Sequence, residues 1–230
     1  MTDSSNNPSP DPFAMVNAIK TRGPAPVHLW DPPFCGDIDM RICRDGSWVH
    51  EGRPIRRMAM VKLFASILKR EGDEYFLVTP VEKVRIQVED TPFLAVAMDV
   101  HTPGSRNSSA PAGVGAGASG SLAKTPEPES AAATQEIIFT TNVGEEIRLD
   151  SNHPLTIGAG PDDNAGQSDE PHPVIKVRSG LHALITRAVF YRLVELAVSR
   201  GEGEQEGDQE EMGVWSCGLF FPLSAAPGKA

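Results

Sequence analysis

The stretch Gly52–Glu89 constrains the fold of this chain more than any other. Met58, Val61, Phe64 and Leu68, with Met60 and Ile67 beside them, recur at spacings of three, four and seven. That is the apolar stripe of a helix packed on one side. Arg56, Arg57, Lys62, Lys69 and Arg70 fill much of the other side. Pro54 suits the approach to a first turn, Lys69 and Arg70 suit the negative end of the helix dipole, and Gly72-Asp73 stop it. Tyr75 to Thr79 is rich in strand formers and ends at Pro80, after which Val84, Ile86 and Val88 alternate with Arg85, Gln87 and Glu89. The stretch predicts a helix and then a hairpin, sharing one buried face.

On the N-terminal side, Ile38, Met40 and Ile42 alternate with Asp37, Asp39 and Arg41, and Asp45-Gly46 signals a hairpin returning through Ser47–His50. On the C-terminal side, strands are expected at Phe93–Val100, 137–141, 146–149, 155–158 and 174–178. A second long helix is expected over 181–200, with Leu181, Leu184, Ile185, Ala188, Val189 and Leu196 on its core face. Val214–Leu223 closes the chain as a strand or hairpin. The fold class read from this order is α+β: two β-rich units, each with one main helix packed on a sheet. Each half also ends an aromatic strand at a proline (Thr79-Pro80, Phe221-Pro222), and Phe64, Ile67 and Leu68 are echoed by Phe190, Leu193 and Val194. A duplication is suggested.

The expected divisions are a polar, proline-rich disordered tail over 1–27, an N-terminal α+β domain over 28–83, a C-terminal β-rich domain over 84–223, and a tail over 224–230. The Pro/Gly/Ser/Ala run over 102–134 is expected to be a flexible insertion in the second domain. Gly115, Gly117 and Gly120 within it match G-x-G-x-x-G, but no strand precedes and no helix follows them, so no phosphate loop is expected.

The formal charge is −10. Glu202, Glu204, Glu206, Asp208, Glu210 and Glu211, with Asp162, Asp163, Asp169 and Glu170, account for all of it and belong to expected loops. The remaining body is neutral, which disfavours nucleic acid as a partner. No apolar run reaches the roughly 18 residues of a membrane span, so no membrane association is expected. The N-terminus lacks a basic start followed by an apolar stretch, and three cysteines (Cys35, Cys43, Cys217) form no disulfide framework. A cytoplasmic location is expected.

Catalytic signatures are sparse. Cys35, Cys43 and His50 lie eight and seven positions apart, unlike the close cysteine pairs of structural zinc sites, and no G-x-S-x-G elbow surrounds a serine. No metal, cofactor or catalytic residue is assigned. The more informative set is cationic and aromatic. Arg187, Tyr191 and Glu195 recur every four residues, and Arg178 ends the preceding strand. They form either an intrahelical polar ladder or a site for an anionic, planar ligand, since arginine grips phosphate through two donors and tyrosine offers a ring and a hydroxyl. Lys62, Arg57 and Thr79 face that site from the first half if the two units pack together, with Asn142 adding hydrogen bonds.

Several motifs closely resemble the bacterial domain-of-unknown-function family 1285. They are W-D-P-P-F-C-G-D-I-D-M-R-I (Trp30 to Ile42), D-G-S-W-x-H-E-G-R-P-I (Asp45 to Ile55), L-V-T-P-V-E-K-V (Leu77 to Val84) and V-E-D-T-P-F (Val88 to Phe93). T-N-x-G (Thr141 to Gly144), V-R-S-G-L-x-A-L-I-x-R-x-V-F-Y (Val177 to Tyr191) and G-V-W-S-x-G (Gly213 to Gly218) extend the resemblance to Leu223. It implies a duplicated, β-rich fold whose C-terminal part superficially resembles a pleckstrin-homology-like barrel. It also implies a cleft between the domains for a nucleotide-like ligand in a signalling role, and no catalytic residues. The expected function is binding of a small phosphorylated or nucleotide-like ligand at the cleft. The alternatives are an enzyme of unrecognised type, with Asp39, Glu82 or His50 as acid or base, and a protein-interaction module using a sheet edge or groove.

Overall fold

A computed structural model describes residues 25–102, 135–158, 171–200 and 211–224. Nearly all of the N-terminal tail, the insertion with its glycine motif, and most of the C-terminal tail lie outside these residues. After a short helical turn at Val27–Leu29, the alternation at Ile38, Met40 and Ile42 buries those three side chains along strand β1 (Phe34–Ile42). The Asp45-Gly46 turn returns the chain as β2 (Trp48–His50), followed by a two-residue edge strand, β3 (Arg53–Pro54).

Helix α1 (Met58–Ser66) then buries Val61, Phe64 and Ala65, with the Phe64 ring stacked on Trp48 at 6.1 Å. It is shorter than its apolar spacing predicts. Leu68–Glu71 forms strand β4 instead, paired with β5 (Glu74–Val78), with Leu68 opposite Leu77 and Glu71 opposite Glu74. The reason is the intervening Gly72-Asp73. These are the two central residues of a tight hairpin, with Gly72 at φ +61°, rather than a helix stop. β6 (Lys83–Val88) completes a six-stranded sheet in the order β3-β2-β1-β6-β5-β4. The boundary expected between 83 and 84 falls at the start of β6, and the chain leaves this sheet only after Val88.

The second sheet contains β7 (Phe93–His101), β8 (Glu136–Thr141), β9 (Glu146–Arg148), β10 (Leu155–Gly158), β11 (His172–Arg178) and β12 (Leu181–Ile185). Its order is β10-β11-β12-β7-β8-β9. Here the long helix expected over 181–200 divides into three. Ser179 and Gly180, both at positive φ, turn β11 into β12, and Leu181, Ala183 and Ile185 are buried at every second position. Only Arg187–Val194 is helical (α2), burying Val189 and Leu193, and Val198–Arg200 is a strand, β13. With β14 (Glu211–Ser216) and β15 (Leu219–Pro222) it makes a third, three-stranded sheet.

The architecture is therefore mostly strand: two β-rich units, each with one short helix. The two large sheets share one topology. In each, the first three strands run outward from the centre on one side and the last three on the other, and the central contact is the only parallel one described (β1 with β6, β7 with β12). The duplication suggested by the sequence is thus consistent at the level of the sheets. The helices do not follow it, since α1 lies between β3 and β4 whereas α2 follows β12.

Buried side chains of both units form one continuous apolar cluster, from Ile42 and Phe64 to Phe93, Phe139 and Leu193. Ser216, fully buried, joins the third sheet to the second. Its hydroxyl donates to Leu149 O at 2.7 Å and accepts from the Ile137 N–H at 3.0 Å. Ser216→Ala leaves both backbone groups buried without that partner. It should lower unfolding free energy by about 1–3 kcal/mol, read as a lower urea midpoint at unchanged slope.

Candidate functional site

The seam between the units is built from polar groups that each unit supplies to the other. At one end, the Asn142 side chain accepts from the Leu94 N–H at 3.1 Å and donates to Gly46 O at 3.3 Å, tying the β8–β9 turn to the β1–β2 turn. Gly46 must be glycine there: its φ is +78°, and an added Cβ would lie 2.7 Å from the Asn142 amide nitrogen. At the other end, Arg70 reaches Gly180 O at 3.4 Å. Burial first, and then the charge of Arg70, push the nearby His182 imidazole below its ordinary value of 6.5.

Between these ends a cleft of about 240 Å³ opens where the last turns of α1 face the 142–145 turn and the end of β11. Lys62, Ala65 and Ser66 line one wall, Val143, Gly144 and Glu145 the other, and Arg178 closes the cleft. The Arg178 guanidinium does three things. Its Nη1 donates to both Glu145 oxygens at 2.7 and 2.5 Å, its Nη2 donates to Ala65 O at 2.6 Å, and its Cζ lies 5.4 Å from the centre of the Phe93 ring. It thereby binds a carboxylate of its own unit and caps a carbonyl at the end of the other unit's helix. Glu145 is held in place by its N–H, which donates to Thr141 Oγ1 at 2.9 Å.

Lys62 differs from Arg178. It is exposed and makes no ion pair or hydrogen bond with the described residues. Its ammonium lies above Gly144, where an added Cβ would stand 3.1 Å from Nζ and where φ is +78°. The cleft thus carries, beside a neutralised Arg–Glu pair, a positive charge with no partner among the described residues.

The structure brings together three of the seven residues expected at a site: Lys62 and Arg178 line the cleft, and Asn142 lies in the turn that forms one wall. The other four lie elsewhere. Thr79 is fully buried, and its hydroxyl accepts the Val81 and Glu82 N–H groups to hold the β5–β6 turn. Arg57 is the exposed N-cap of α1. Arg187 and Tyr191 are exposed on α2, Tyr191 by 60%, because β12 takes 181–185 and leaves a helix that packs on β7 and β14. Asp39, Glu82 and His50 do not line the cleft either, and His50 Nδ1 sits 2.9 Å from Asp39 O. Glu145 and Ser66 went unforeseen, since only the approach of α1 gives either residue a role.

Residues 25–91 match the family model described as the domain of unknown function (DUF1285), N-terminal domain, and residues 122–223 match that of the protein of unknown function (DUF1285), C-terminal domain. A crystal structure of a DUF1285 family protein from Silicibacter pomeroyi DSS-3 is similar at 44% identity and a TM-score of 0.68, over 93% of this chain and 94% of that one. The chain belongs to the DUF1285 family. A DUF1285 family protein from Shewanella baltica OS155 is similar at 26% identity and a TM-score of 0.42, over 69% of this chain and 91% of that one. No curated protein matches the chain. The N-terminal DUF1285 match extends just past β6, and so coincides with the first sheet. Among the described residues no helix is long and apolar enough to cross a membrane, and no group of three His, Cys, Asp or Glu could hold a metal.

Two outcomes follow for the seam. Arg178→Ala should cost about 1.5–3 kcal/mol of unfolding free energy, the range for hydrogen bonds to charged groups, and Arg178→Lys should recover little of it. A single ammonium lacks the planar fork that spans Glu145 and Ala65 O; chemical denaturation of both variants reads the difference. Because the folded protein holds the His182 pKa low, the unfolded chain takes up this proton first as pH falls. That part of the stability is complete above pH 6.5 and declines below it. Unfolding midpoints compared between pH 7.5 and 5.5 should fall less in His182→Gln than in the parent.

Proposed function

We propose that this DUF1285 protein binds a small anionic ligand, phosphorylated or nucleotide-like, in the cleft between its two units, and that it acts as a cytoplasmic regulatory protein rather than as an enzyme. The observation that carries the reading is the Lys62 ammonium, set over a glycine at the cleft without a partner among the described residues. A cation held in a concavity without a counter-ion favours an anion there, and the neighbouring Arg178–Glu145 pair offers both donors and acceptors to polar groups of the same ligand. The volume, about 240 Å³, is below the 300–1,000 Å³ usual for drug-sized ligands, which suits the phosphoryl end of a larger molecule.

The regulatory part of the reading rests on the seam. A ligand touching Lys62 and the 143–145 turn contacts both units at once, so its binding energy favours one relative arrangement of them. The pleckstrin-homology-like character inferred for the C-terminal unit belongs to the same proposal, as such barrels serve binding more than catalysis. None of the three acid–base candidates of the enzyme reading lines the cleft.

A thermal-shift panel of inorganic phosphate, nucleotides, cyclic dinucleotides and phosphosugars tests the proposal. A true ligand at about 100 times its dissociation constant should stabilise by about 2.7 kcal/mol. Lys62→Ala should abolish the shift without altering the unliganded midpoint, and Arg187→Ala should retain it. A shift that survives Lys62→Ala, or a flat response across the panel, rules out the cleft reading.

A further inference from the structure

The described basic side chains divide unevenly. Arg41, Lys69, Arg70, Lys83, Arg85, Arg148 and Arg178 each form an ion pair. Arg200 lies against the Trp215 and Phe220 rings, and Arg44 and Arg187 are also engaged. By contrast, Arg53, Arg56 and Arg57 are exposed and make no ion pair or hydrogen bond with the described residues. Arg53 begins β3, and Arg56 and Arg57 lie among the three residues that join β3 to α1. Between Gly46 and Arg70 the chain has one acidic residue, Glu51, although its net charge is −10.

Among the described residues nothing pairs with these three charges. No acid occupies the first turn of α1, and Arg57 caps the helix through its backbone, with the Met60 N–H donating to Arg57 O at 2.8 Å and no side-chain capping bond. Three like charges so near in sequence repel one another, whereas seven other described basic side chains each have a carboxylate within ion-pair reach. Beside them Met58 is 51% exposed, a flexible apolar side chain at the same helix start.

We propose that the Arg53–Arg56–Arg57 cluster is a docking surface for an acidic segment of a partner protein, with the guanidinium forks engaging its carboxylates and Met58 meeting an apolar residue between them. Arginine fits carboxylates through two parallel donors, and exposed forks are reached without any rearrangement of the fold. Charge complementarity also favours a short polypeptide over a phosphate polymer or a lipid surface. A segment lying on the cluster feels charges within about 10 Å at 0.1 M salt, whereas an extended polyanion is also opposed by the chain's overall charge of −10. This surface is separate from the cleft, whose lining includes none of the three arginines.

The test is fluorescence anisotropy of a labelled peptide of alternating glutamate and leucine with the full chain, at low and at physiological salt. Binding should weaken with salt and fall about tenfold or more in the combined variant Arg53→Ser, Arg56→Ser, Arg57→Ser and, to a lesser degree, in Arg56→Glu alone. It should be unchanged in Lys62→Ala, which separates failure here from failure of the cleft. The unfolding midpoint of each variant should be no lower than that of the parent, because no ion pair or hydrogen bond with the described residues is removed. Absence of peptide binding, or equal binding by the combined variant, overturns the proposal. So does tighter, arginine-dependent binding to phosphatidylserine vesicles or to oligothymidylate.

Discussion

Burial of one apolar surface common to both sheets is the constraint on which the rest of this structure depends. Ile42, Trp48 and Phe64 from the first unit and Phe93, Phe139 and Leu193 from the second belong to the same continuous cluster. The polar contacts decide something else. Asn142, Arg70 and Arg178 fix where one unit sits against the other, because each satisfies a backbone carbonyl on the opposite side. The cleft is a consequence of that placement, lying where the shared face ends and the Arg178 link begins.

The repeated topology gives this seam its form. Two sheets with the same strand order each place their only described parallel pair at the centre, so each carries hairpins on its flanks and presents hairpin turns at its ends. Three such turns meet the opposite unit: the β1–β2 turn through Gly46, the β8–β9 turn through Asn142, and the β11–β12 turn through Gly180. Turns suit this task, since their backbone groups are not all used by a ladder and their glycines permit close approach. The helices break the symmetry. Only α1 reaches the cleft, and it contributes a lysine, a serine and a helix-end carbonyl that α2 does not match.

Much of the strand framework was legible. The alternation at Ile38–Ile42 and Val84–Val88, the Asp45-Gly46 turn and the Asn142–Gly144 turn all reappear in the structure. Both helix ends were misread for a common reason. Leu68–Glu71 and Leu181–Ile185 carry apolar residues at positions that satisfy helical spacing and strand alternation alike, so the period alone could not choose. The choice was made by two-residue turns, Gly72-Asp73 and Ser179-Gly180, which draw each segment into a hairpin with a strand next to it in sequence. The candidate site divided in the same way. Lys62 carried a sequence signal on the polar side of the first helix, and Arg178 and Asn142 did so as polar residues at element ends. Arg187 and Tyr191 had been placed on the ligand-facing side of a helix that begins later, and packs differently, than expected.

By itself the sequence determined the elements whose cause is local: alternating strands, glycine turns, the existence of two helices, and the motifs that mark the family. Those depend on φ/ψ preference and on periodicity, which neighbouring residues express without help from the rest of the chain. Only the tertiary structure decided which charges are spent and which remain open. Arg178 and Lys62 are equally basic in the sequence, yet one meets Glu145 and Ala65 O while the other has no partner among the described residues. Arg53, Arg56 and Arg57 differ from Arg70 and Arg85 in the same respect alone. Pairing depends on distance between residues remote in the chain, and no local preference encodes that distance.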